Sequence, residues 1–187
     1  MEHVMVDIET MGRGPTSAIV AIGACFFDPA SGEIGQTFEC TINLKSSELY
    51  GDMDPDTVLW WLDQCHEARQ ELVTAKMSLF EGLRRFWHFV TSNADIYKVQ
   101  VWANAPSFDL MILKHAITTC LEESGAPWQF YNEKCCRTIT YLCESLTGVN
   151  FKEQRKFEGE AHTALADALH QAGYVSDAYM ALEKLKN

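Results

Sequence analysis

The chain has 187 residues, 47% hydrophobic and 22% charged, with a formal net charge of −11. That length suits one domain over residues 1–187 with a core of its own. The acidity argues against a broad duplex-binding face, no apolar run approaches the ~20 residues of a membrane helix, and no basic leader precedes the first apolar segment. The seven cysteines are odd in number and scattered, and the adjacent Cys135 and Cys136 cannot form a spaced metal clip. Free thiols in a reducing cytoplasm are therefore expected.

In chain order, "VMVDIETMG" (Val4 to Gly12) reads as a strand. "SAIVAIGACFFD" (Ser17 to Asp28) and "IGQTFECTIN" (Ile34 to Asn43) follow around the turn "DPASGE", predicting three antiparallel strands. "DPDTVLWWLDQ" opens with acids and a proline, as a helix start does, and "SLFEGLRRFWHFV" carries Leu79, Leu83, Phe86, Phe89 and Val90 at helical spacing. "VQVWA" (Val99 to Ala103) is a short strand leading straight into the helix "SFDLMILKHAITTCLEE". A short strand near Phe130–Cys136 precedes the helix "RTITYLCESLTG", and one alanine-rich helix runs from Ala161 to about Lys184. The order βββ-α-β-α-β-α predicts an α/β fold with a mixed central sheet flanked by helices.

Four acids and a histidine stand out. Asp7 and Glu9 alternate along the first strand, so both point to one face, roughly 7 Å apart at Cα, while Val4, Val6 and Ile8 point to the other. Two like charges side by side call for a cation, a divalent metal being the usual one, unless the face is simply exposed. Asp109 begins a helix at the carboxyl end of a strand, where α/β folds place ligands, although an acid there also complements the helix dipole. His162 and Asp167 are five residues apart, about 140° around a helix. They share a face only if His162 lies in the preceding loop or first turn, as Gly159 would allow. The pattern alone puts Asp167 on a solvated stripe with Glu160, Thr163, His170, Gln171 and Tyr174, against an apolar side of Leu165, Ala168, Leu169 and Ala172.

Together these make D-x-E on a first strand, an Asp opening a middle helix, and H-x-x-x-x-D on the last helix. That order resembles the DEDDh subgroup of the DnaQ-like 3′–5′ exonucleases, carried by "VDIETMG", "NAPSFD" and "HTALADA" from residue 4 to about 175. "DTVLWW", "VWANAPSFD" and "CCRTI" are similar to a compact phage and bacterial branch that includes single-strand exodeoxyribonucleases and an adenylate-preferring exoribonuclease. The resemblance implies a ribonuclease H-like fold and a phosphodiester hydrolase. It implies Asp7, Glu9, Asp109 and Asp167 as ligands of two divalent ions, Mg²⁺ or Mn²⁺, with His162 as general base. Hard oxygen ligands suit those ions, and a group titrating near pH 6.5 suits that task.

The implied substrate is a single-stranded DNA or RNA 3′ end, DNA slightly favoured, and no membrane is involved. A homodimer is open, and the expected location is the cytoplasm of a bacterium or phage-infected host cell. Candidate substrate contacts are Thr10, Met11, Trp60, Trp61 and Phe108, with Arg137 on a phosphate; for the Trp pair the equal alternative is that one packs in the core and the other caps it. Asn104 either orients Asp109 or touches the sugar. Lys152, Arg155 and Lys156 form a basic run read as a solvated stretch or a loop that closes on the strand. An exoribonuclease, a metal-dependent endonuclease and a non-catalytic nucleic-acid-binding module are the alternatives.

Overall fold

Strands β1 (His3–Thr10), β2 (Ile19–Phe27) and β3 (Ile34–Thr41) form the antiparallel start, as the alternation and turn residues predict. The computed structural model describes residues 1–123, 125–157 and 163–186. After β3 come α1 (Leu44–Ser47), α2 (Pro55–Leu62), α3 (His66–Thr74) and α4 (Leu79–Asn93). Strand β4 (Gln100–Ala103) pairs parallel with β1 and leads into α5 (Asp109–Cys120). Strand β5 (Glu133–Cys135) pairs parallel with β4. It is followed by α6 (Cys136–Thr147), α7 (Phe151–Gln154) and α8 (Ala164–Glu183). The sheet order is β3-β2-β1-β4-β5, a mixed five-stranded sheet flanked by helices, as expected.

Local chemistry sets these boundaries. Pro55 occupies the first turn of α2, whose Asp54 cap accepts a hydrogen bond from the Asp56 amide. Ser78 caps α4 by accepting from the Glu81 amide at 3.2 Å, and Gly148 ends α6 in the left-handed region at φ 74°. Three helices were not anticipated: the single turn α1, α3 and α7. α3 buries only Ala68 among polar neighbours, too little for a periodic signal. α7 forms inside the charged run, capped by Asn150 on the Glu153 amide. That run is not simply solvated: Arg155 Nη1 pairs with Asp177 Oδ2 of α8 at 2.7 Å.

The two faces of the sheet differ. Val4, Val6 and Ile8 of β1 join Ile22, Ala24 and Phe26 of β2 in a core closed by α4 and α5. On the opposite face Met5, Cys25 and Phe27 pack against Ala168, Ala172, Tyr174 and Val175 of α8. Asp7 and Glu9 share that second face by the pleat. Gly23 is the register partner of Asp7, and the start of α8 lies directly on it: an added Cβ would collide with the backbone of Ala164 and Leu165.

A Gly23→Ala substitution should therefore cost at the upper end of the ~1–3 kcal/mol typical of overpacking, because backbone cannot rotate away. The reading is the urea midpoint against Gly14→Ala, whose Cβ would meet nothing within 4 Å. Equal midpoints for the two variants would refute the close approach.

Candidate active site

The first turn of α8 brings Asp167 to the two acids of β1. One carboxylate oxygen from each of Asp7, Glu9 and Asp167 lies within 4.8 Å of the others. The expected solvated stripe on α8 is thereby corrected. Gln171 and Tyr174 are buried along with Ala168 and Ala172, because α8 is packed between the sheet and α6 and has apolar contacts on more than one side. Asp109 opens α5 and is itself buried. Its carboxylate accepts from the Ala105 amide at 3.3 Å and from the amides of Asp109 and Ile8, which ties α5 to β1. Gln171 Nε2 donates to Asp7 Oδ1 at 2.7 Å.

Burial and mutual repulsion dominate the electrostatics. Desolvation first, then the charges of Asp109, Glu9 and Asp167, hold the Asp7 pKa well above the carboxylate range. Desolvation with Asp167 and Asp109 pushes Glu9 up to about 8. Burial raises Asp109 to about 6 against the pull of its backbone donors and of Arg137. Such a group of acids is comfortable only with protons or a cation among them.

Two cavities meet at the acids and share Ile8 and Phe108. One, of 390 Å³, is lined by Glu9, Thr10, Arg13, Thr57 and Trp60 as well. The other, of 320 Å³, is lined by Asp7, Asn104, Asp109 and Arg137. Trp60 is 42% exposed at the first cavity, with Trp61 packed edge-on to it at 5.1 Å. Trp61 and Met11 are each only 4% exposed and belong to a small core with Ala18, Val20 and Ala68. This corrects their expected role as stacking surfaces: neither offers a face to a base. Trp61 instead donates Nε1–H to the Thr10 carbonyl at 3.0 Å and so braces the end of β1. Thr10 Oγ1 donates to the Gly12 carbonyl. Asn104 does not orient Asp109, since the Ala105 amide does; its Oδ1 accepts from the Tyr174 hydroxyl at 3.4 Å. His162 lies outside the described residues. The residues that sequence reasoning missed are Gln171 and Gly23. An isolated glycine inside a strand pattern is the signal for the second.

Residues 2–179 match the family model described as the 3′–5′ exoribonuclease Rv2179c-like domain. The chain belongs to this family. It is therefore a hydrolase of the 3′–5′ exonuclease class. The chain is 28% identical over 160 residues to an exodeoxyribonuclease of Enterobacteria phage T4, covering 74% of this chain and 70% of the relative. The fold is that of the ribonuclease H-like DEDDh exonucleases. Cell-death related nuclease 4 superposes with a TM-score of 0.68 at 13% identity over 94% of this chain, which spans 62% of that structure's length. The nuclease domain of 3′hExo, a DEDDh family member bound to rAMP, gives a TM-score of 0.59 at 14% identity, covering 94% of this chain and 90% of that one.

The donors of this exonuclease fit divalent cations. They are oxygen only, clustered and mutually repelling, the chemistry that hard cations satisfy. A pH dependence follows. Glu9 and Asp109 titrate higher in the fold than their ordinary values of 4.5 and 3.8, so the native state binds more protons than the unfolded chain. Stability of the metal-free protein must then fall as pH rises through these windows, up to about 8 for Glu9. Thermal melts in EDTA should show a declining Tm across that range, and Mg²⁺ or Mn²⁺ should restore it most at the alkaline end. A Tm in EDTA that is flat or rising with pH would contradict the clustering.

Proposed function

We propose that this exonuclease releases nucleoside 5′-monophosphates from the 3′ ends of single-stranded nucleic acid, DNA slightly ahead of RNA. In this reading Asp7, Glu9, Asp109 and Asp167 hold two divalent ions, Mg²⁺ or Mn²⁺, and His162 is the general base. The observation that carries it is the approach of Asp7, Glu9 and Asp167 within 4.8 Å, flanked by two cavities joined at Phe108. Bound there, the two ions would stabilise the charge that develops on the reacting phosphoryl oxygens and acidify the attacking water.

The chain's own residues do the rest. Arg137 lines the same cavity as Asp7 and Asp109, and in this reading its guanidinium takes a phosphate of the strand. Trp60 and Phe108 line the cavity beside Glu9, where the ring of the exposed tryptophan can stack a base. Two small cavities meeting at Ile8 and Phe108 suit a thin, flexible strand better than a duplex. An imidazole nitrogen of His162 takes the proton of the attacking water. The slight preference for DNA follows the similarity to the phage exodeoxyribonuclease, 28% identical over 160 residues. The exoribonuclease description of the family favours RNA as a second reading.

The test is degradation of 5′-labelled single-stranded DNA and RNA oligomers, with Mn²⁺ or with EDTA, beside Asp7→Ala. A metal-dependent ladder shortening from the 3′ end, absent in the variant, is expected, and the faster oligomer identifies the preferred sugar. Trp60→Ala should raise KM by roughly 5- to 150-fold, the equivalent of one lost stacking contact of ~1–3 kcal/mol. Turnover should rise with pH through the histidine range, and His162→Ala should lose ~10²–10⁴-fold. No shortening of either strand in the presence of bound metal would overturn the reading. A flat pH profile with chemistry rate-limiting would remove His162 from its role.

A further inference from the structure

Gln171 is only 6% exposed, yet just one of its two polar side-chain atoms has a hydrogen-bond partner among the described residues. Its Nε2 donates to Asp7 Oδ1 at 2.7 Å, while its buried Oε1 has no partner among the described residues. A buried amide oxygen without a partner costs free energy that an apolar side chain of similar length would avoid. Packing therefore does not explain a glutamine here, and its single bond does. On α8, Gln171 follows Asp167 by one turn and precedes Tyr174, so one helix face carries all three side chains toward the sheet. Tyr174 secures that face from below through its hydroxyl bond to Asn104 Oδ1.

We propose that Gln171 is a positioning residue for the metal site, holding the Asp7 carboxylate so that it faces Glu9 and Asp167. The role rests on the reading of these acids as metal ligands. The amide is suited to it for two reasons. It donates without adding charge, so it fixes Asp7 and leaves the negative field of the cluster for the cation, where lysine or arginine would cancel it. It also comes from the same helix as Asp167, so one rigid element sets the position of one ligand and the orientation of another.

The experiment is a calorimetric Mn²⁺ titration of wild type, Asp7→Asn, Gln171→Met and Gln171→Asn, with the metal-free Tm of each. Methionine keeps the length without the donor; asparagine keeps the amide but is one methylene too short. Both Gln171 variants should bind Mn²⁺ 10- to 100-fold more weakly, the usual loss when an outer partner of a ligand is removed. The metal-free Tm of Gln171→Met should change little, since loss of the orphaned Oε1 offsets loss of the bond to Asp7. Mn²⁺ affinity within twofold of wild type in both variants would overturn the proposal. So would weakened binding accompanied by a metal-free Tm lowered in proportion, which marks a packing role. Wild type that binds no Mn²⁺ would overturn the metal reading first and the role of Gln171 with it, whereas normal wild-type binding lost in Asp7→Asn isolates the outcome for Gln171.

Discussion

The seat of α8 on the bare backbone at Gly23 is the constraint on which the rest depends. Gly23 is the cross-strand partner of Asp7, so a helix resting on it delivers its first turn beside the acids of β1. A side chain at position 23 would lift the helix and separate Asp167 from Asp7 and Glu9. Glycine weakens a strand through backbone entropy and the loss of a packing side chain. Here that weakness is located where the approach of two elements requires it. The opposite face of the same two strands carries Val6, Ile22 and Ala24 in continuous apolar packing.

Electrostatics works against this arrangement. Among the described residues no lysine or arginine closes an ion pair with Asp7, Glu9 or Asp109. The partners these acids do have are neutral donors: the amides of Ala105 and Ile8 for Asp109, and the Gln171 side chain for Asp7. Neutral donors orient a carboxylate without discharging it. The result is a rigid group of oxygens with an unmet demand for positive charge, and a bound cation stabilises the fold by mass action. Binding and folding are thus linked through the same few side chains.

Much of this was legible in the chain. Period-two alternation gave β1 and the shared face of Asp7 and Glu9, and turn and cap residues gave β2, β3, α2 and α4. The tertiary environment was the part that periodicity could not supply. Asp167, Gln171 and Tyr174 look polar on a helical wheel, but α8 is enclosed by the sheet and α6, so a polar stripe became an interior one. Trp60 and Trp61 are neighbours with opposite fates: α2 turns one indole into the core to brace the Thr10 carbonyl and leaves the other beside Glu9. Nothing local distinguishes the two. Met11 was likewise drawn into the small core behind α2 rather than to the cavity. Helix α3 escaped notice because its single buried residue, Ala68, gives no pattern.

The division of labour between the faces explains how a chain this acidic can hold a repelling cluster in its interior. Fully burying one large aliphatic or aromatic side chain contributes about 1.5–3 kcal/mol. The face of the sheet opposite the site commits Ile22, Phe26, Leu83, Phe86, Leu110 and Ile112 to that purpose, all essentially without exposure. Those contacts involve no carboxylate, so they hold the strands in place whatever the charge state of the cluster. The site face contributes less, since part of its surface is given to acids, a glycine and an incompletely satisfied amide. Stability is concentrated on one side of β1 so that the other side can keep its carboxylates close. Alternation along a single strand, Val6 and Ile8 one way, Asp7 and Glu9 the other, is the local device that makes the separation.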